Sequence, residues 1–98
     1  MDHVFVSQRL QPHINTLNSM GVKRLAVFGS VARNSTSDSS DLDILVRFKK
    51  NKKTFDNFMD LKFFLQEIFP EVRIDLVLED SLKETIRNRV LSEARDVA

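Results

Sequence analysis

The sequence predicts an α/β fold: a small mixed sheet of three strands, or slightly more, covered by helices in the order helix, strand, short helix, strand, helix, strand, helix. Three features carry that expectation. Two stretches, Asp41 to Phe48 and Val72 to Glu79, alternate apolar and polar residues with period two, as strands with one buried face do. The segment between them and the segment after the second place apolar residues at helical spacing instead. Strands and helices alternating along one chain imply helices layered on a sheet.

The elements follow in chain order. Val6, Leu10, Ile14 and Leu17 keep the spacing of a first helix, which Pro12 kinks or restarts and Gly21 ends. Leu25 to Phe28 is a short apolar run, read as a strand buried on both faces, that stops at a tight Gly29-Ser30 turn. Val31 to Arg33 then form a short helix, and the serine-rich stretch Ser35 to Ser40 is a loop. In the next strand Leu42, Ile44, Val46 and Phe48 share one face, and Asp41, Asp43, Leu45 and Arg47 share the other. A lysine-rich loop, Lys49 to Lys53, leads to Thr54, which suits the N-cap of a helix carrying Phe55, Phe58, Met59, Leu61, Leu65, Ile68 and Phe69, closed by Pro70. In the third strand Val72, Ile74, Leu76 and Leu78 oppose Arg73, Asp75, Val77 and Glu79. Ser81 to Glu84 has the Ser-x-x-Glu form of a capping box, ahead of a last helix striped with Leu82, Ile86, Val90 and Ala94. The eight Phe, with no Tyr or Trp beside them, are expected in the core.

Composition narrows the function classes. The 98 residues are expected to form one domain, residues 1–98, with a single two-layer core. Lys plus Arg number 15 against 14 Asp plus Glu, so the basic excess of a dedicated nucleic-acid binder is missing and nucleic acid is not the expected direct substrate. No apolar run approaches the roughly 18–20 residues of a membrane span, and Met1-Asp2-His3 does not open a signal peptide, so the cytoplasm is the expected compartment. The absence of Cys removes disulfides, thiolate metal sites and cysteine nucleophiles. With only Gly21 and Gly29 in the chain, neither a dinucleotide-binding GxGxxG turn nor a Walker loop can be written.

Chemistry concentrates at the carboxylates. Asp41 and Asp43 project from one strand face, and Asp75 lies on the matching face of another. Oxygen ligands of this kind suit a hard cation such as Mg²⁺ with phosphate oxygens completing its shell, and three of them suit a two-metal phosphoryl-transfer site. The same carboxylates also fit a solvated sheet face whose charges protect an edge. Gly29-Ser30, between a buried strand and a helical turn, could bring N–H groups and a hydroxyl to a phosphate, or could simply end a strand. His3 and His13 read as surface or helix-end residues rather than ligands. Lys49, Lys50, Lys52 and Lys53 read as a solvated loop, Lys83, Arg87, Arg89 and Arg95 as an exposed or interfacial face, and Glu79 and Asp80 as a strand-to-helix connection.

Taken together, Gly29-Ser30-Val31-Ala32-Arg33 and Ser40-Asp41-Leu42-Asp43-Ile44-Leu45-Val46 resemble the GSxAR…SDxDLxV signature of the DNA polymerase beta-like nucleotidyltransferase superfamily. The chain looks like a minimal nucleotidyltransferase, the antitoxin half of HEPN/MNT toxin–antitoxin pairs, and the likeness extends to a third aspartate in Arg73-Ile74-Asp75-Leu76-Val77. The resemblance implies that Gly29 and Ser30 grip the triphosphate of ATP, with Arg33 packed or paired nearby. It implies that Asp41, Asp43 and Asp75 are catalytic and hold two Mg²⁺ ions, Asp75 also helping to deprotonate the acceptor. Asn34 stands where the family often has glycine, and Asn tolerates a left-handed turn. The implied activity is that of a type VII-like antitoxin, moving AMP from ATP to a hydroxyl, expected to be a tyrosine's, of a cognate HEPN ribonuclease toxin. The alternative is a non-catalytic antitoxin that covers its toxin and only binds nucleotide. Homo- or hetero-oligomers fit both.

Overall fold

The computed structural model describes residues 1–32 and 41–98; Arg33, Asn34 and the serine-rich stretch to Ser40 lie outside the described residues. The first helical segment divides as Pro12 requires. Helix α1 (His3–Leu10) is capped by Asp2, whose Oδ1 accepts from the Phe5 N–H at 2.8 Å, a 3-10 turn (Gln11–His13) takes Pro12 in its first turn, and α2 (Ile14–Ser19) follows. Gly21 ends it with φ +85°.

Strand β1 (Val22–Phe28) leads into the single turn α3 (Gly29–Ala32), then come β2 (Leu42–Phe48), α4 (Phe55–Ile68), β3 (Ile74–Leu78), a 3-10 turn (Glu79–Ser81), α5 (Glu84–Glu93) and β4 (Arg95–Asp96). The sheet runs β3-β2-β1-β4, with β1 antiparallel to both β2 and β4 and β2 parallel to β3. This is the predicted mixed sheet and element order, with one short strand added at the C-terminus. There Val97 N–H donates to Leu25 C=O at 2.9 Å and Leu25 N–H to Ala98 C=O at 3.1 Å, which buries the Val97 side chain.

Register follows the apolar alternation. Leu42, Ile44 and Val46 face the main core with Ile74 and Leu76 of β3, under Val6, Leu10 and Leu17 of the first helices and Leu61, Leu65 and Phe69 at the end of α4. Strand β1 reaches that core from Val22 and also from Leu25 and Val27, residues of opposite parity. A bulge between Val22 and Arg24, opposite Phe48 and Arg47, makes this consistent by inserting one residue and rotating the rest of the strand. The second face of the sheet thus carries Arg24, Ala26 and Phe28 beside Arg47, Leu45 and Asp43. Ala26 and Leu45, paired across β1 and β2, are buried there, and α5, which packs on β1 and α3, contributes buried Val90.

Thr54 caps α4 as expected, its Oγ1 accepting from Asn57 N–H at 3.1 Å. At the far end Gln66 stitches the helix to the next strand, donating to the carbonyls of Phe69 (3.1 Å) and Val72 (2.7 Å) and accepting from Ile74 N–H (3.2 Å).

Three expectations are corrected. Ser81 does not cap α5: it closes a 3-10 turn, and Lys83, with φ −65° and ψ 142°, is the N-cap and makes no side-chain cap bond. The turn is held instead by Leu82 N–H and Arg87 Nη1 donating to the Glu79 carbonyl at 3.3 and 3.2 Å. The last helix stops at Glu93, because Ala94 is already extended and leads into β4. The eight Phe do not all fill the core: Phe55 and Phe63, on the outer side of α4, are 68% and 61% exposed, and Phe5 is partly exposed beside Arg9. The core side of α4 is already occupied by Leu61 and Leu65, with Phe58 and Phe64 half-buried against it.

Candidate active site

Parallel pairing of β2 with β3 sets Asp43 directly beside Asp75, and antiparallel pairing with β1 sets Phe28 on the other side of Asp43. Two carboxylates adjacent across a sheet repel one another, an arrangement that costs stability unless a cation or donor offsets it. Asp43 is half-buried and Asp75 exposed, so water and ligands reach the pair. Asp41 precedes β2 at the same end of the sheet, with its side chain 44% exposed and Oδ2 4.0 Å from Arg73 Nε. Among the described residues no three acidic or histidine side chains gather closely enough to hold an ion by themselves. The expected trio is therefore a close pair with the third carboxylate at its margin, drawn toward Arg73.

Gly29 explains why the turn after β1 needs glycine. Its φ of +68° is left-handed, and a Cβ there would run into Oδ2 of Asp43. The Asp43 carboxylate thus lies against the Gly29 backbone, and Ser30 comes next, half-buried, in a turn whose Val31 and Ala32 are buried. Arg33, the remaining nucleotide-binding candidate, lies outside the described residues.

The donor set is all oxygen: two adjacent carboxylates, a third nearby and a serine hydroxyl. That chemistry fits Mg²⁺, which dehydrates reluctantly and takes one or two carboxylates together with substrate phosphates and water rather than a closed protein cage. His3 opens α1, and His13 packs edge-on against Phe64 with ring centroids 5.5 Å apart, so neither joins the carboxylates. The lysines of 49–53 are exposed; Lys53 Nζ pairs with Asp80 Oδ2 at 3.0 Å, and this hydrogen bond together with the ammonium charge holds the Asp80 carboxyl below its ordinary range.

Glu79 is what sequence reasoning missed. It is buried, on the same face as Asp43 and Asp75 but two rows further along the sheet. Its Oε1 is 3.1 Å from Arg24 Nη1, and its Oε2 accepts from Arg47 Nε. Arg24 Nε also reaches Asp96 Oδ1 of β4 at 2.5 Å. The Glu79 hydrogen bond, and then its charge, raise the Arg47 pKa above the usual guanidinium value. A signal was present: the polar rows of the two predicted strands end in opposite charges, Arg47 and Glu79.

Residues 9–97 match the model of the nucleotidyltransferase domain family. A candidate protein adenylyltransferase of Methanocaldococcus jannaschii is 40% identical over 77 residues, 79% of this chain and 81% of that protein. Protein adenylyltransferase MntA of Thermococcus cleftensis is 38% identical over 73 residues, 74% of this chain and 72% of its own. Among solved structures, a candidate minimal nucleotidyltransferase superposes with a TM-score of 0.80 at 36% identity, covering 97% of this chain and 95% of the other. A toxin–antitoxin structure containing AMP-PNP gives a TM-score of 0.71 over 94% of this chain and 72% of the other; at 18% identity the likeness is one of fold.

Proposed function

The chain belongs to the nucleotidyltransferase domain family, and from that premise we propose that it is a Mg²⁺-dependent protein adenylyltransferase acting as an antitoxin. It moves AMP from ATP to a tyrosine hydroxyl of a cognate HEPN ribonuclease toxin. The observation that carries this reading is the Asp43–Asp75 pair set against Gly29 at one end of the sheet. Relatives named as protein adenylyltransferases support the choice of AMP and of a protein acceptor.

In this reading Asp41, Asp43 and Asp75 hold the metal ions, and Gly29, Ser30 and Arg33 hold the triphosphate. Bound Mg²⁺ supplies charge stabilisation at the phosphoryl oxygens. The chain's own residues do the rest. The absence of a side chain at Gly29 lets the Asp43 carboxylate lie directly against the turn that carries Ser30, bringing carboxylate and hydroxyl to one place. The Ser30 hydroxyl donates to a phosphate oxygen. Asp75, exposed at the sheet's edge strand, accepts the proton of the incoming hydroxyl and returns it to water. The acceptor oxygen bonds to the α-phosphorus, the bond from that phosphorus to the bridging oxygen breaks, and pyrophosphate leaves. Most of the rate enhancement comes from holding nucleophile and phosphorus in line, which a docked partner provides. An adenylate adds bulk and negative charge, and both oppose RNA at a ribonuclease site.

The test is to incubate the chain with its toxin, ATP and Mg²⁺, measure the toxin's intact mass and map the modified residue. Toxin heavier by one or more adenylates and inactive on RNA is the expected result. Toxin that stays unmodified yet inhibited, equally by the Asp43→Asn variant, would establish the covering model instead.

A further inference from the structure

We infer that Glu79 is a positioning residue for the carboxylate pair: its ion pairs help fix the register of β3 on β2, against an alternative, apolar on the same face, that separates Asp75 from Asp43. The inference rests on the metal-holding role proposed above for that pair.

The observed register sets Leu42, Ile44 and Val46 beside Ile74, Leu76 and Leu78. Shift β3 by two residues and Leu42, Ile44, Val46 and Phe48 lie beside Val72, Ile74, Leu76 and Leu78, four aliphatic or aromatic pairs in place of three. A two-residue shift keeps every side chain on its own face, so period-two patterning does not oppose it. The polar face even favours it. In the observed register Asp43 neighbours Asp75, like beside like; in the shifted one it neighbours Arg73, and the repulsion becomes an attraction. Asp75 would then lie beside Leu45, away from the other carboxylates.

Something must specify the register that function needs. At the entry to β3, Gln66 bonds to the carbonyls of Phe69 and Val72 and to the N–H of Ile74; in the shifted register the Pro70 carbonyl and the Val72 N–H take the places of the last two, so at this end it is the seating of buried Phe69 and its bond to Gln66 that resist the shift. At the exit the bond is to a side chain. Arg47 follows Val46, the partner of Leu78, so it meets the carboxylate of Glu79 only in the observed register. Arg24, anchored to Asp96 of β4, closes on the same carboxylate from β1, and Arg87 of α5 donates to its carbonyl. A shifted strand would leave Arg47 facing Val77. Glu79 is the only buried charged side chain among the described residues, so a register that took it from Arg24 and Arg47 would leave a buried charge uncompensated.

The experiment compares the wild-type chain with Glu79→Gln and with the Arg73→Gln, Glu79→Gln double variant. Backbone contacts between β2 and β3 are read by NMR without metal, and Mn²⁺ binding in the presence of ATP by electron paramagnetic resonance. In Glu79→Gln a second set of β3 signals appears, with Arg73 beside Asp43, and Mn²⁺ affinity falls about tenfold, the usual size of an outer-shell effect. Adding Arg73→Gln removes the attraction behind the shift and restores both readouts. A Glu79→Gln chain with one register and wild-type Mn²⁺ affinity overturns the inference, as does lost affinity in the observed register that Arg73→Gln does not recover. Should Glu79→Gln not fold, Arg47→Gln provides the same two readouts, since its side chain is 44% exposed, and an unshifted strand there overturns the inference equally. Wild-type chain that binds no Mn²⁺ refutes the metal reading instead, while the metal-free contacts still decide the register.

Discussion

Replacing Gly29 by alanine probes the site where it is tightest. Two costs follow from the structure. An L-residue at φ +68° occupies the left-handed region, at about 1–2 kcal/mol. The new methyl also meets Oδ2 of Asp43, so that carboxylate must rotate away from its well, at about 1 kcal/mol. The sum, roughly 2–3 kcal/mol, is a large part of a small domain's stability but leaves it folded at room temperature. For a chain of this length it lowers Tm by roughly 10–20 °C. Transfer should fail at temperatures where the variant is still folded, because the Asp43 carboxylate has been pushed from its place beside the Gly29 backbone. Gly21→Ala is the control. Gly21 has φ +85° and a Cβ there meets Lys52, so alanine is strained there too, but at the opposite end of β1 from Asp43. Thermal melts by circular dichroism, with toxin modification followed by mass at 20 °C, separate the two variants: both melt early and only Gly29→Ala loses transfer. A Gly29→Ala chain that melts within about 2 °C of wild type and transfers normally would refute the placement of Asp43 against that backbone.

Asp75→Asn relieves a like-charge neighbour, so urea unfolding without metal should show stability unchanged or higher by about 0.5 kcal/mol, while transfer by Asp43→Asn and by Asp75→Asn should each fall by about 10²-fold or more. Ser30→Ala removes one charge-assisted donor and should weaken ATP–Mg²⁺ binding or turnover by at most about 3 kcal/mol in calorimetry and single-turnover assays. The Asp80 carboxyl is held below its ordinary pKa of 3.8 by the hydrogen bond from Lys53 and by its charge. The stabilisation this represents is therefore present above that value and lost as pH falls through the lower, folded value. Lys53→Gln should return the Asp80 pKa toward 3.8 in an NMR titration and remove that part of the acid dependence. Arg9 lies over the rings of Phe5 and Phe69 and pairs with Glu71, joining α1 to the end of α4, so Arg9→Ala should cost about 1 kcal/mol in urea unfolding and leave transfer intact.

What the sequence determines by itself is what local periodicity and local chemistry encode. Period two in 42–48 and 74–78 specifies which face of each strand is buried, and so puts Asp43 and Asp75 on the same side of the sheet. Thr54 and Pro70 bound α4, and Gly29 marks a turn that an ordinary residue would strain. The candidate carboxylates and the glycine are legible for that reason. Tertiary structure decides what periodicity leaves degenerate. The same stripe rule that finds the core face of α4 places Phe55 and Phe63 without saying that nothing lies over them. Ser81-x-x-Glu84 has the composition of a cap, yet the Arg87 bond to Glu79 draws that turn into a 3-10 form and the helix starts later. The C-terminal strand is two residues long, too short to alternate, and exists because β1 has an open edge for it. Register is the deepest of these, because a two-residue step keeps every apolar side chain on its own face, so the alternation alone does not select one register. Long-range, side-chain-specific contacts, such as the ion pairs of Glu79 with Arg24 and Arg47 and the burial of Phe69, exist in the step that sets Asp43 beside Asp75, and no local pattern encodes them.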